Sequence, residues 1–267
     1  MRGYIVHEDR RFEILDELLD QAGDDTRHTL FDYEKFDYVI LGLKGPDEQL
    51  RYQENGQTHR FSSDFFSKLK RGCHLYTFVN NRFLEKTAER YGLCYQSFDK
   101  NERVINGNAD LTSEAVLAYL ITHREYQLKN AEITIFGYGH LAKSLIRYLH
   151  PLTKNINVVL RNRKYDHEIK AIGKACPFES RSKYTDADIF INTIPARIID
   201  KDLLSMIKNN AMIVDISSFP YGFDLNEAQM LGLNAVILPG LPGKYAYRDA
   251  AQLLFHAVME GNACLRI

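Results

Sequence analysis

Two glycines set two residues apart, Gly137 and Gly139, follow the apolar run Ile133–Phe136 and open a helical stretch that begins His140-Leu141-Ala142. That spacing has the form of a dinucleotide-binding turn. The glycines, with Tyr138 between them and His140 and Leu141 after, let the backbone bend sharply and bring its N–H groups against a pyrophosphate at the positive end of a helix. Ala142 is small enough for that helix to pack on the strand. Beyond the helix a second apolar run ends in Arg161-Asn162-Arg163-Lys164. An acidic residue at this place would accept a hydrogen bond from a ribose 2′-hydroxyl, whereas cations suit a 2′-phosphate, so NADP is the expected cofactor and NAD the second choice.

Three later runs also end in proline- or glycine-rich turns: Asn192-Thr193-Ile194-Pro195, Asp215 to Pro220, and Pro239-Gly240-Leu241-Pro242-Gly243. Ligands of open α/β sheets bind beyond the carboxyl ends of the strands, so these turns are expected to ring the nicotinamide end of the crevice. Asn192, Thr193 and Ser217 offer neutral hydrogen-bonding groups there. Hydride transfer needs positioning more than it needs a nucleophile. Lys244 is the cation nearest the last turn and suits a substrate carboxylate, and Glu114 and His140 are the candidate proton-transfer groups. A Ser/His/Asp arrangement, a G-x-S-x-G elbow and a phosphate loop of the G-x-x-x-x-G-K type are all lacking, which excludes α/β-hydrolase and P-loop chemistry.

The elements that must hold these residues alternate in type. Over the first third, Tyr4–Val6 reads as strand, Phe12–Gln21 as helix, Tyr38–Leu41 as strand, Ser62–Leu69 as helix, Leu75–Val79 as strand, Arg82–Tyr91 as helix and Cys94–Phe98 as strand. The polar stretch 50–60 reads as an exposed loop or hairpin without chemistry of its own. A long helix over 111–128 follows, with Asp110 or Thr112 as its cap and Glu114 in its first turn. The second half continues with strands at 188–194, 211–217 and 234–238, helices at 166–174, 201–208 and 225–231, and a weak strand near Pro177-Phe178. The fold class is therefore α/β with two Rossmann-like domains, the C-terminal one a doubly wound parallel sheet. The boundaries read as a flavodoxin-like domain over 1–110, a linking helix over 111–129, a dinucleotide-binding domain over 130–248 and a last helix within 249–267. Whether that helix packs back on the N-terminal domain stays open.

Composition agrees with an ordinary soluble protein. The chain of 267 residues is 45% hydrophobic and 26% charged with a net charge of −1, which gives no reason to expect nucleic acid or a membrane as partner. The opening MRGYIVHEDRRFEI holds too short an apolar run for a signal peptide or a span, so a cytoplasmic location is expected. Cys73, Cys94, Cys176 and Cys264 lie far apart and the histidines are scattered, so no bound metal is expected.

The string INTIP, the D-x-S-S-x-P-x-G segment that follows it, then LPGLPG and a terminal helix together resemble the A-subunit family of bacterial dipicolinate synthase, most strongly over 106–254. The resemblance implies an N-terminal α/β domain ahead of a Rossmann domain that binds NADP. It implies oxidation of a dihydropyridine dicarboxylate to dipicolinate, a flavoprotein-like partner subunit, and a sporulating cell. By position it carries over Gly137 and Gly139 as the cofactor turn, Asn192 to Pro195 and Pro239 to Gly243 as the family's two later elements, Arg10 after the first strand, and Glu114. Val6-His7 stands where the family has a glycine pair, Phe219 where it has an arginine, and 246–251 departs from its usual sequence. Arg248 or Lys244 is the replacement cation in this chain. Arg10 and Lys244, the latter read as part of the Rossmann domain, are then the carboxylate contacts, with domain closure excluding water. Two alternatives remain open: a dinucleotide-binding subunit or sensor with reduced catalysis, and a dehydrogenase of another small carboxylate. Self-association is left open as well.

Overall fold

Short apolar runs become strands here because alternate residues find cores on opposite faces. The computed structural model describes residues 1–26, 33–124 and 127–263; Cys264, the end of the 249–267 segment and residues 125–126 of the expected linking helix lie outside them. The chain divides into two units, Met1–Asn108 with Pro242–Ile267, and Ala109–Leu241.

In chain order the first unit contains β1 (Gly3–Ile5), α1 (Arg10–Gln21), β2 (Tyr38–Ile40), β3 (Arg51–Glu54), β4 (Gln57–Arg60), α2 (Phe65–Lys68), β5 (His74–Thr77), α3 (Arg82–Tyr91) and β6 (Cys94–Ser97). Strands β1-β2-β5-β6 form one parallel sheet. Val39 and Leu75 face one core with Phe65 and Leu84, while Ile40 and Tyr76 face another with Phe12, Leu15 and Leu19 of α1, the period of two that a doubly covered sheet requires. Helix α1 is capped by Asp9, whose carboxylate accepts from the Arg11 N–H, and α3 by Asn81. The 50–60 stretch is an antiparallel hairpin, β3-β4, turned at Asn55-Gly56 with φ of 50° and 76°, a pair suited to a two-residue turn.

Helix α4 (Glu102–His123) carries the chain from the first unit into the second. It starts at Glu102 and not near 111, so Asp110 and Thr112 are interior and cap nothing. Asn101 accepts from the Val104 N–H at the true start, and the helix runs through Asn106-Gly107-Asn108, where a Cβ at Gly107 would meet Leu253 at 2.6 Å. Asp110 instead takes bonds from Ser144 and Arg147, both at 2.5 Å.

The second unit holds β7 (Ile133–Phe136), α5 (His140–Leu149), β8 (Ile156–Leu160), α6 (Asp166–Lys170), β9 (Lys174–Pro177), β10 (Ile189–Asn192), α7 (Lys201–Met206), β11 (Met212–Asp215), α8 (Leu225–Met230) and β12 (Asn234–Ile237). Its six strands are all parallel in the order β12-β11-β10-β7-β8-β9, a doubly wound sheet whose order reverses between β7 and β10. Ile135, Val158 and Ile191 face a core that includes Val116 of α4 and Leu145 of α5, and Phe136, Val159 and Phe190 face the opposite core with Leu203 of α7 and Ala228 of α8. Helix α6 ends at Lys170 because the chain turns there to begin β9, which pairs from Lys174.

Helix α9 (Leu241–Tyr245) follows, and the last helix, α10 (Tyr247–Gly261), lies against α1 in the first unit. Leu254, Ala257 and Val258 join the core of Phe12 and Leu15, which answers the question that the sequence left open. No described helix is long and apolar enough to cross a membrane.

Candidate functional site

The reversal of strand order puts the ends of β7 and β10 side by side, and the glycine bend sits there. Gly137 has φ +102°, a region closed to most side chains, and a Cβ on it would meet Thr193 Oγ1 at 2.4 Å. Gly139 differs. Its φ is −86° and a Cβ there would meet nothing within 4 Å, so the absent side chain leaves open space in front of α5, whose N-terminus no side chain caps. Ala142 is fully buried against the strand. A glycine whose missing side chain opens space at an uncapped helix N-terminus fits a dinucleotide pyrophosphate.

Tyr138 turns its ring toward α6. Lys143 lies 4.9 Å from the Tyr138 ring and 4.7 Å from that of Tyr165, and donates to Glu168 at 3.2 Å. Burial, and then the Glu168 carboxylate that accepts from its hydroxyl, push the Tyr138 phenol up, while the same bond and Lys143 hold Glu168 below the usual carboxylate range. His140 is exposed and Leu141 half-buried in the first turn of α5.

The cations after β8 divide their work. The Arg161 guanidinium lies 4.4 Å over the Phe178 ring, which Arg181 also approaches at 4.7 Å, and no carboxylate among the described residues lies within ion-pair distance of Arg161. Arg163 is paired with Asp166 at 2.5 Å, Lys164 lies 4.8 Å from the Tyr165 ring, and Asn162 turns the chain by accepting from the Lys164 N–H.

At the ends of β10 and β11 the side chains expected to face a nicotinamide are engaged within the protein. Asp215, fully buried, accepts from four donors: the Ser217 N–H at 2.8 Å, the Ser217 hydroxyl at 2.7 Å, the Gly222 N–H at 2.5 Å and Asn192 Nδ2 at 2.9 Å. Asn192, also fully buried, further donates to the Ile194 carbonyl and accepts from the Ile194 N–H. Thr193 donates through both its hydroxyl and its N–H to the Phe136 carbonyl. The donors of these three side chains are thus engaged within the protein, those of Asn192 and Ser217 on a buried carboxylate and that of Thr193 on a strand-end carbonyl. What they do is position. Ile194 and Pro195 on one turn, and the turn from Ser218 to Tyr221 with its cis Phe219–Pro220 bond, are held in place by them, and Phe219 stands exposed. Asp215 is the residue that sequence reasoning underrated.

The Pro239–Gly243 element is also not one turn. Pro239 and Gly240 are exposed, with φ +67° at Gly240, and α9 begins at Leu241, with Pro242 in its first turn where a missing N–H costs nothing. From Pro242 onward the chain belongs to the first unit, so Lys244 is not on the dinucleotide-binding unit as expected but shares a unit with Arg10. Both are exposed; Arg10 lies 4.2 Å over the Tyr247 ring, and Arg248 lies 6.0 Å from it. Arg11, unremarked in the sequence, is buried and makes a two-pronged contact with Asp9. A side chain at Gly243 would meet Arg11 Nη2 at 2.4 Å. Glu114 is exposed well inside α4, so the favourable position at a helix start that was expected for it does not exist. The described residues contain no cluster of three or more histidine, cysteine or acidic side chains that could hold a metal ion.

No family model matches the chain. Over 200 residues it is 27% identical to the dipicolinate synthase A subunit of Bacillus subtilis (strain 168), covering 74% of this chain and 67% of that one. Its fold superposes on the crystal structure of the dipicolinate synthase A subunit from Bacillus halodurans with a TM-score of 0.87 at 20% identity, over 97% of this chain and 96% of the other. The chain is a relative of the dipicolinate synthase A subunit. A more distant match is the NAD-dependent formate dehydrogenase of Staphylococcus aureus in complex with NAD, with a TM-score of 0.57 at 12% identity over 97% and 94% of the two chains. What these structures share with the chain is the fold, two Rossmann-like α/β units.

Proposed function

We propose that this chain is an NADP-dependent oxidoreductase that oxidises a cyclic dicarboxylate of the dihydrodipicolinate type to dipicolinate. The observation that carries the reading is the bend at the strand-order reversal, with Gly137 forced and Gly139 open. Gly137, Tyr138 and Gly139 would hold the pyrophosphate with the N-terminal N–H groups of His140 and Leu141. Arg161, with Asn162 and Arg163 beside it, would take the 2′-phosphate. Thr193, Ile194, Pro195, Pro239 and Gly240 would border the nicotinamide. When bound, the oxidised coenzyme would supply the acceptor for a hydride from a ring carbon of the substrate, and loss of one further ring proton would complete the aromatic ring. Asn192 and Ser217 act as positioning residues through Asp215. Arg10, Lys244 and Arg248 are the cations offered to the substrate carboxylates. A flavoprotein-like second subunit, which the resemblance implies, is the proposed partner.

The commitment of Asn192, Thr193 and Ser217 to internal bonds favours one further reading, a subunit that binds the dinucleotide but does not turn over. Absorbance at the reduced-nicotinamide band, followed with the cyclised dicarboxylate and every partner supplied, separates the two. Turnover supports the enzyme; saturable coenzyme binding without turnover supports the non-catalytic role.

Coenzyme choice has its own test. Arg161→Ala should weaken NADPH about tenfold, the share of one charge-assisted contact, and leave NADH within about twofold, as read by titration calorimetry. Arg163→Ala should do less, because Arg163 already answers to Asp166. Equal losses for both coenzymes would show that Arg161 makes no phosphate contact.

A further inference from the structure

A cleft of about 540 Å³ opens at the end of the second unit's sheet where β7, β8 and β9 begin. This is the end away from the glycine bend, and none of the groups assigned to the dinucleotide lines it. His150 comes from the end of α5, Lys154 from the loop before β8, Lys170 from the last turn of α6 and Lys174 from the start of β9. Gly173 seats the short turn between the last two against β8, where a Cβ would overlap the Ile156 carbonyl. Three lysines and a histidine thus face one carboxylate, Glu132, and that carboxylate is engaged: its Oε1 accepts from the buried Asn157 amide at 2.7 Å. Lys154 Nζ lies 3.2 and 3.1 Å from the two ring nitrogens of His150, which is a base and not a counter-ion. No carboxylate among the described residues lies within ion-pair distance of Lys154, Lys170 or Lys174, and Lys174 turns toward the Tyr184 ring at 5.1 Å. The carbonyl ends of α5 and α6 also point here, with at most about half a negative charge each, so the lysines leave a surplus of positive charge after both helix ends and Glu132 are counted.

We propose that this cleft binds a phosphate group, with Lys154 and Lys170 as its ion partners and His150 as a further donor. A tetrahedral anion with three terminal oxygens reaches donors that converge from separate elements, and lysine binds phosphate as a compact point charge. Placed before Lys154 and His150, the anion accepts from both and supplies the counter-ion that the protein itself does not. The space exceeds a bare phosphate and leaves room for the organic part of a small phosphate ester. The inference stands apart from the oxidoreductase reading, since the cleft and the bend lie at opposite ends of the same strands.

The test titrates the full chain, without coenzyme and at fixed ionic strength, with inorganic phosphate and with glycerol 3-phosphate, followed by amide chemical shifts. Both should move the amides of Asn155, Gly173 and Lys174 in a saturable way. Tighter binding of the ester assigns the site to organic phosphates, and tighter binding of the bare ion assigns it to free phosphate. Lys154→Ala and Lys170→Ala should each weaken binding about fivefold and together more than tenfold, while Lys154→Arg should keep most of it. Lys86→Ala, which removes an exposed lysine of α3 in the first unit, should change nothing. Unmoved cleft amides with phosphate in large excess, or a loss from Lys86→Ala equal to that from Lys154→Ala, would overturn the assignment. Gly139→Val should leave this binding intact, so failure here and failure of the dinucleotide reading are told apart.

Discussion

Valine at Gly139 should cost on the order of a hundredfold in NADPH affinity, about 2.8 kcal/mol, with thermal unfolding nearly unchanged. The two readouts separate because the position is unusual in one respect only. Its backbone is ordinary, with φ −86°, and no protein atom lies within 4 Å of a Cβ, so the fold tolerates a side chain. The space that the side chain fills is the space a phosphate must enter. Alanine at Gly137 should behave in the opposite way. There φ is +102° and Thr193 Oγ1 lies 2.4 Å from the new carbon, so the strain falls on the protein itself and unfolding should come several degrees lower. If Gly139→Val bound coenzyme as the parent does, the open face of the bend would have no ligand.

Alanine at Asp215 should be the most destabilising substitution in the second unit, about 4 kcal/mol, seen as a fall of roughly 10 °C in its unfolding transition. The buried carboxylate answers donors from Asn192, Ser217 and Gly222, and removing it strands all of them away from water. Asparagine keeps the shape but turns an amide N–H against one pair of these donors, so it should recover only part of the loss. A near-neutral Asp215→Ala would mean that the loops at the ends of β10 and β11 hold their form without the network, and the positioning role given to Asn192 and Ser217 would fall with it.

Much of this was legible in the sequence, for reasons that differ by residue. The bend announced itself because only glycine meets the backbone demand at 137 and the space demand at 139. The alternation of apolar runs and amphipathic helices carried the parallel, doubly covered character of the sheets, since parallel strands buried on both faces need helices between them. The start of α4 was not legible, because Asn106-Gly107-Asn108 reads as a linker until Leu253, far along the chain, is seen filling the place of a side chain. Arg11 was hidden for the same reason: its partner Asp9 is local, but its neighbour Gly243 is not. Asn192, Thr193 and Ser217 were found as a group at the strand ends, without the partners that their donors take. Composition shows which donors gather at strand ends, not that Asp215 and the Phe136 carbonyl consume them. The hairpin at 50–60, polar and turn-rich, carried no motif, yet it supplies one wall of a cleft that Glu8 and Lys44 line.

The central claim is that the bend at Gly137–Gly139 receives a nicotinamide dinucleotide. A crystal structure of the chain grown with saturating NADPH tests it most directly. The account predicts pyrophosphate density against Gly139 and the first turn of α5, with the adenosine 2′-phosphate beside Arg161. Density for the coenzyme elsewhere, or a bend left empty at saturation, would contradict it.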